Sequence, residues 1–533
     1  MKTNYPYSSK RTVVYAKNGM VATSQPLAAQ AGLDILKKGG NAIDAAIAVA
    51  STLTVVEPTS NGIGGDNFAL IWTNNKLHGL NSSGPAPNLL TKTALLNKGF
   101  TEIPKFGFTP VTVPGAVAGW AEMHKTFGKL SFQEVLTPAI NYANNGFTVS
   151  PTVAYYWNAV NHNYQKNLKD EVYQSWFDTF TLNGTAPSEG SIFHLKNHAE
   201  TLIKIAETYG DTFYHGEIAN QIDHFSKQND GFIRKSDLES FKPEWVTPIS
   251  VSYKGYNICE IPPNGQGVIA LMALNIIENF NFNEREKIEV YHKQIEAMKL
   301  AFADGLNYIG EPRTMNMDIE HLLSKSYAKL RAKLISKKAE IRTHGKPEQS
   351  GTVYLATADS EGNMVSMIQS NYMGFGSGLV VPNTGIALHN RGHNFSLDEK
   401  SDNFLEPGKR PYHTIIPGFI THGKNPIGPF GVMGGFMQPQ GHMQIIMNLI
   451  DFKMNPQSAL DAPRWQWIEA NKISVEPSVS KSIVQGLIRK GHEVKIERNL
   501  GNFGRGQIIL RNPKTGVYRG GTEKRADGSI ASW

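Results

Sequence analysis

The stretch that decides the fold is Gly351-Thr352-Val353-Tyr354-Leu355-Ala356, followed by Asp359-Ser360-Glu361-Gly362-Asn363 and then Met364 to Ser370. Alternating residues on either side of a polar, glycine-containing turn spell two short strands joined as a hairpin. Counting outward from the turn, Ala358 faces Met364, so Thr352 faces Ser370. Directly opposed residues hold their Cβ atoms about 4.5–5.5 Å apart, which brings two hydroxyls together at the mouth of the hairpin. Such a pair is an ordinary feature of a sheet ladder. It also has a chemical reading. A hydroxyl is a weak nucleophile without a base beside it, and a threonine at a free N-terminus carries that base as its own α-amine. Thr352 is internal, so it reaches this state only if the Gly351–Thr352 bond is cut, which its own hydroxyl can do by attacking the preceding carbonyl. Glycine suits the position before it, because it can take backbone angles that bend the carbonyl toward the hydroxyl. Pattern alone leaves both readings open.

Around this hairpin lie 533 residues, 40% hydrophobic and 19% charged, with 50 glycines. That length predicts two to four domains, and the glycines suit a turn-rich α/β protein better than a helical bundle. Lys plus Arg exceed Asp plus Glu by only 7, and they are scattered. The densest basic run, Lys325 to Lys338, reads as the solvated face of a helix, so no nucleic-acid partner is expected. A lone cysteine, Cys259, excludes an intrachain disulfide. Met1-Lys2-Thr3-Asn4-Tyr5-Pro6 runs into Ser8-Ser9-Lys10-Arg11 without the apolar core of a secretory leader. The longest apolar stretch, Ala42 to Val56, contains Asp44 and falls short of the ~20 residues of a membrane span. The expectation is a cytoplasmic protein with no membrane partner.

Upstream, Val13 to Tyr15 and Gly19 to Thr23 read as strands. Pro26 to Lys38 reads as a helix ending at Gly39-Gly40. Asn41 is placed to cap a second helix, Ala42 to about Thr54, which is apolar on nearly every side and so buried between layers. Asn61-Gly62-Ile63-Gly64-Gly65-Asp66 superficially resembles a dinucleotide loop. Its glycine spacing is incomplete, and it precedes a strand (Phe68 to Trp72) instead of opening a helix, which rejects a nucleotide fold. Thr112 to Trp120 reads as a turn entering a helix. Further helices are predicted at Phe132 to Asn145, His198 to Tyr209, Gly216 to Lys227, Val268 to Phe280 and Arg285 to Ile309. A strand pair, Ile249 to Tyr253 and Tyr256 to Cys259, turns at Lys254-Gly255. After residue 351 strands dominate, with one clear helix at Gly441 to Asp451. Helices feeding strands in this way point to a layered α+β sandwich without internal repeats.

Several segments, in order and spacing, resemble the gamma-glutamyltransferase (glutathione hydrolase) family of N-terminal-nucleophile hydrolases. They include Ile35 to Ala46, Asn61 to Phe68, Val113-Pro114-Gly115-Ala116-Val117-Ala118-Gly119, Tyr253-Lys254-Gly255-Tyr256 and Asp359 to Asn363. Phe375-Gly376-Ser377-Gly378, Lys409-Arg410-Pro411, Gly434-Gly435 and Ala462-Pro463-Arg464 complete the set. The resemblance spans nearly the whole chain. It implies a four-layer αββα sandwich that cuts itself into a large subunit, 1–351, and a small catalytic subunit, 352–533, forming one intertwined heterodimer able to dimerise further. Thr352 matches the residue that becomes N-terminal and forms the acyl-enzyme. Ser370 matches an assisting hydroxyl, and Gly434-Gly435 a pair whose N–H groups stabilise the oxyanion. Water, or an amino acid or peptide, accepts the acyl group from a small amide substrate. Neither a cofactor nor a metal is implied.

The substrate shell departs from the family. An arginine that clamps the substrate α-carboxylate is missing from Asn81-Ser82-Ser83-Gly84-Pro85-Ala86-Pro87, where Ser83 falls near its position and lacks the bidentate fork. Where the family places a Gln and an Asp for the substrate ammonium, this chain has Arg391 and Asn394. His413-Thr414 replace the paired serines after Arg-Pro. Ser396 to Pro407 is too short for the long lid of some members. Tyr372 joins Ser83, Arg391, Asn394, His413 and Thr414 as a substrate-binding candidate. Arg391 reads either as an anion clamp or as part of a surface or structural ion pair. His389 and His393 do not read as a metal pair, since Gly392 interrupts any helix and no third ligand is evident. Three functions follow: cleavage of γ-glutamyl amides; cleavage of other acyl amides of the cephalosporin, glutaryl or oxamate type; or an unprocessed relative without activity.

Overall fold

The computed structural model describes residues 7, 11–341 and 351–533. The reading of the extreme N-terminus lies largely outside these residues. Strands Gly351–Asp359 and Met364–Tyr372 pair antiparallel in the middle of a seven-stranded sheet. Asp359 builds the turn between them, its carboxylate accepting the Glu361 and Asn363 N–H groups at 3.0 Å each. Its other oxygen accepts the Ala42 N–H at 2.9 Å, placing a negative charge at the N-terminus of the Ala42–Val56 helix. That helix begins as expected, with Asn41 and Asp44 forming a reciprocal cap.

The sheet runs in the order Ser529–Ser532, Gly19–Thr23, Gly351–Asp359, Met364–Tyr372, Asp66–Thr73, Lys76–Ser82, Glu244–Val246. A second seven-stranded sheet packs on it, with Asn425–Met433 at its centre beside Arg505–Arg511 and Gly418–His422. Period-2 alternation distributes the side chains. Tyr354, Ala356, Phe68, Leu70 and Ile368 meet Phe419 and Ile509 between the sheets. Val353 and Leu355 point the other way, into a core shared with the Ala42–Val56 and Phe132–Asn145 helices. Helices Gly267–Ile277, Ile288–Tyr308 and Met437–Ile450 cover the outer face of the second sheet. The architecture is the four-layer αββα sandwich of the N-terminal-nucleophile hydrolases. Because both faces of both sheets are covered, central strands are buried at nearly every position, and polar alternation is absent from them.

Three expectations need correction. First, residues after 351 hold more than one helix: Pro456–Asp461 and Lys481–Arg489 are helical too. The helix expected from Gly441 starts at Met437, because Pro439 falls in its first turn, where no N–H partner is lost. Second, the basic run from Lys325 is helical only to Ala332, and Lys325 binds Glu278 and Asn275. Third, Ala358 opposes Met364 as counted, but an irregularity between Gly351 and Val353 sets Gly351 opposite Tyr372. Among the described residues, no helix is long and apolar enough to cross a membrane.

Candidate active site at the hairpin mouth

The irregular register does not separate the two hydroxyls. Thr352 Oγ1 lies 3.0 Å from Ser370 Oγ and 2.7 Å from the Gly351 carbonyl oxygen, and both side chains are fully buried. Ser370 Oγ is 2.8 Å from the same carbonyl. Its two lone pairs are already engaged: Tyr372 N–H donates to it at 2.8 Å and Arg391 Nη2 at 3.2 Å. A serine hydroxyl has one proton and two acceptor sites. Ser370 therefore gives its one proton to the Gly351 carbonyl, which it can polarise, and lies beside Thr352 without accepting from it. Tyr372 holds a left-handed backbone (φ +73°), the bend that turns its N–H back toward Ser370.

Arg391 forms the floor of this mouth and is completely buried. Its Nη1 donates to Thr414 Oγ1 at 2.8 Å, and its guanidinium lies 4.4 Å from the centre of the Tyr372 ring. Its Nε has no partner among the described residues. No carboxylate comes within ion-pair distance of it among the described residues, which corrects the surface or structural ion-pair reading. Burial draws its pKa down to about 10, against the pull of Asp66 and Tyr372.

Asp66 is the nearest buried acid, and it is already saturated. It accepts from His413 Nε2 at 3.0 Å, lies 3.3 Å from His389 Nδ1, and takes the Gly84 and Gly115 N–H groups at 3.3 and 3.2 Å. Burial opposes its charge most strongly, yet His389 beside it and the hydrogen bond from His413 hold the carboxyl below the usual range. Burial, then the charge of Arg391, pushes His413 down to about 3, against its bond to Asp66. His413 is thus a neutral donor whose Nδ1 accepts the Ile415 N–H.

The glycine pair ends the Asn425–Met433 strand. Gly434 and Gly435 both take positive φ, +131° and +59°, which a side chain would strain. Gln266 Nε2 bridges the Gly435 carbonyl (2.8 Å) to that of Thr414 (2.6 Å), joining the glycine turn to the Arg391 floor. Gly434 and Gly351 share a cavity of about 190 Å³ with Tyr156, Val160 and Arg505. Arg505 gets there by register: it is the ladder partner of Met433, one residue before Gly434.

Thus the fold brings Gly351, Thr352, Ser370, Tyr372, Arg391 and Thr414 into direct contact, and joins His413 to them through Asp66. Ser83 and Asn394 make no such contact. Ser83 Oγ donates to Asn81 Oδ1 at 2.7 Å, and Asn394 Nδ2 to the Tyr412 carbonyl at 3.0 Å. His389 and His393 diverge, onto the Thr112 and Ile103 carbonyls respectively. A His292, Glu296 and His492 grouping lies elsewhere, with Glu296 ion-paired to Lys299 at 2.7 Å. Sequence reading missed Asp66, Gln266 and Arg505 as site residues. Only Asp66 carried a local signal, an acid after paired glycines at a strand start.

A family model described as gamma-glutamyltranspeptidase matches residues 28–533. The chain is 37% identical to the glutathione hydrolase-like YwrD proenzyme of Bacillus subtilis, over 96% of this chain and 97% of that one. It is 30% identical to the oxamate amidohydrolase proenzyme of Klebsiella pneumoniae, over 97% and 98%. Among solved structures, cephalosporin acylase from Bacillus halodurans superposes with a TM-score of 0.96 at 59% identity, over 100% of this chain and 99% of that one. With two hydroxyls at a glycine-threonine bond inside this fold, the chain belongs to the gamma-glutamyltranspeptidase family of hydrolases.

Proposed function

We propose that this protein is a self-processing amide hydrolase and acyltransferase whose acyl group carries a carboxylate and lacks the γ-glutamyl ammonium. In the first reaction Thr352 Oγ adds to the Gly351 carbonyl carbon. The C–N bond breaks, the hydroxyl proton passes to the departing nitrogen, and water hydrolyses the resulting ester. This leaves residues 1–351 ending in a new carboxylate and residues 352–533 beginning with the Thr352 amine. In the second reaction that amine serves as base while the Thr352 hydroxyl attacks a substrate amide. The amide's amine departs with a proton, and water or another amine takes the acyl group. Ser370 donates to the carbonyl under attack, and the Gly434 and Gly435 N–H groups receive the oxyanion.

The observation that carries the substrate side is Arg391, a buried guanidinium with no acid at ion-pair distance among the described residues, 3.2 Å from Ser370. An ammonium brought here meets a like charge, and the nearby carboxylate, Asp66, is occupied by His389 and His413. The 59% identity to a cephalosporin acylase supports the same reading. Likeness to a glutathione hydrolase-like relative favours the rival, γ-glutamyl cleavage. A denaturing gel tests the first reaction, with fragments of 351 and 182 residues expected and a single uncut band from folded protein refuting it. Glutaryl and γ-glutamyl anilides differ only in the ammonium. Faster release of dye from the glutaryl compound is expected, and the reverse order overturns the assignment of Arg391.

A further inference from the structure

The cavity beside Gly351 and Gly434 holds a second buried guanidinium. Arg505 is 6% exposed, and stacks 4.3 Å above the Tyr156 ring. Its Nη1 makes a long ion pair with Glu57 Oε1 at 3.5 Å, and its Nε has no partner among the described residues. The other oxygen of Glu57 accepts the Ser24 hydroxyl at 2.5 Å. Burial raises the Glu57 carboxyl to about 7, in spite of Arg505 and the Ser24 bond. Tyr156 and Val160 stand four residues apart on one face of the Pro151–Asn167 helix and give the cavity an apolar wall. The cavity's volume of about 190 Å³ suits the end of a small molecule.

We propose that Arg505 binds a carboxylate on the amine half of the substrate, the half that departs from or accepts the acyl group. The assignment rests on the reading of Arg391 as the clamp for the acyl half. With one cation buried behind Ser370 and the other across Gly351 and Gly434, the substrate amide is bracketed by two anion sites. Tyr156 and Val160 lie against the body of the amine, as an aromatic amino acid or a bicyclic amino acid would supply. A guanidinium also suits the site better than an ammonium, since its flat face can stack on Tyr156 while its edge meets a carboxylate.

The test uses the processed wild-type protein and two glutaryl amides, one of 4-aminobenzoic acid and one of 4-aminobenzamide, whose amines differ in charge alone. Wild type is expected to favour the acid in kcat/KM by about 10-fold or more, the worth of a hydrogen bond to a charged group. Arg505→Ala should abolish that preference and Arg505→Lys retain part of it. Equal losses on both amides would make Arg505 a structural residue and overturn the proposal. In case the alanine variant does not fold, inhibition of wild type by free 4-aminobenzoate against free 4-aminobenzamide reads the same site, and equal inhibition also refutes it. Cleavage of neither amide by fully processed protein refutes the hydrolase reading itself, whereas cleavage of both without preference refutes only the role of Arg505.

Discussion

Arg525 and Arg391 are both withdrawn from solvent, and they are treated in opposite ways. Arg525 binds Glu476 at 2.6 Å from Nε, meets Glu523 at 2.5 Å, and donates to the Leu460 and Ala462 carbonyls. Beside it Arg464 binds Glu523 at 2.8 Å and the Phe503 and Gly504 carbonyls. Arg391 has two hydroxyls, an aromatic face and an idle Nε. A buried charge is tolerated when acids and carbonyls surround it. The Arg464 and Arg525 knot meets that condition internally, so it is part of the scaffold. Arg391 lacks that company among the described residues. Under the proposed function, the same residue type is spent on stability in one place and held in reserve for a ligand in the other.

The comparison is sharpened first by removing the chemistry it serves. Thr352→Ala is expected to leave the chain uncut and lower amide hydrolysis by at least ~10³-fold, with the gel and the anilide assay as readouts. Arg525→Met and Arg391→Met then separate the two arginines. Arg525→Met strands Glu476 and part of Glu523, at a cost of about 3–5 kcal/mol in urea unfolding. Arg391→Met forfeits two hydrogen bonds to neutral hydroxyls and should cost about 1–3 kcal/mol, while erasing any preference for a carboxylated acyl group. Equal destabilisation by the two substitutions breaks the contrast.

The smallest effect is a change in a pH slope. His413 has a pKa of about 3 when folded against 6.5 when exposed, so between those values the unfolded chain binds a proton that the folded chain refuses. Stability from this group is full above pH 6.5 and falls as pH drops toward 3. Since the charge of Arg391 is the second cause of the depression, Arg391→Met should flatten the slope. Urea midpoints at intervals from pH 7 to 4, measured on the uncut Thr352→Ala background, check it.

Much of this was legible in the residues. The hairpin, its turn and the approach of Thr352 to Ser370 follow from strand alternation, and the Asn41 cap from side-chain type and spacing. What could not be read has a common cause: it depends on which distant strands lie side by side. Arg505 belongs to the site because it opposes Met433, more than seventy residues away in sequence, and no local pattern encodes that register. Arg391 stands in a short turn that ordinarily faces solvent. Its burial comes from the Ser370 and Thr414 segments folding over it. The helices Pro456–Asp461 and Lys481–Arg489 escaped notice because each is short and set among strand-like text.

The strand order of the first sheet has one further consequence. Strands from before and after residue 351 are shuffled: Gly19–Thr23 lies between Ser529–Ser532 and Gly351–Asp359, and Asp66–Thr73 lies beside Met364–Tyr372. A cut between Gly351 and Thr352 therefore frees neither piece, because each is laced into the other through backbone hydrogen bonds. What the cut removes is the way back. A continuous chain finds its partner strands at a concentration set by its own length, whereas two severed pieces must find each other by diffusion. Refolding of uncut Thr352→Ala protein should be independent of protein concentration, and that of the processed enzyme should slow with every dilution. Cut at that bond, the protein would keep a fold that it reached as a single molecule and could not easily repeat.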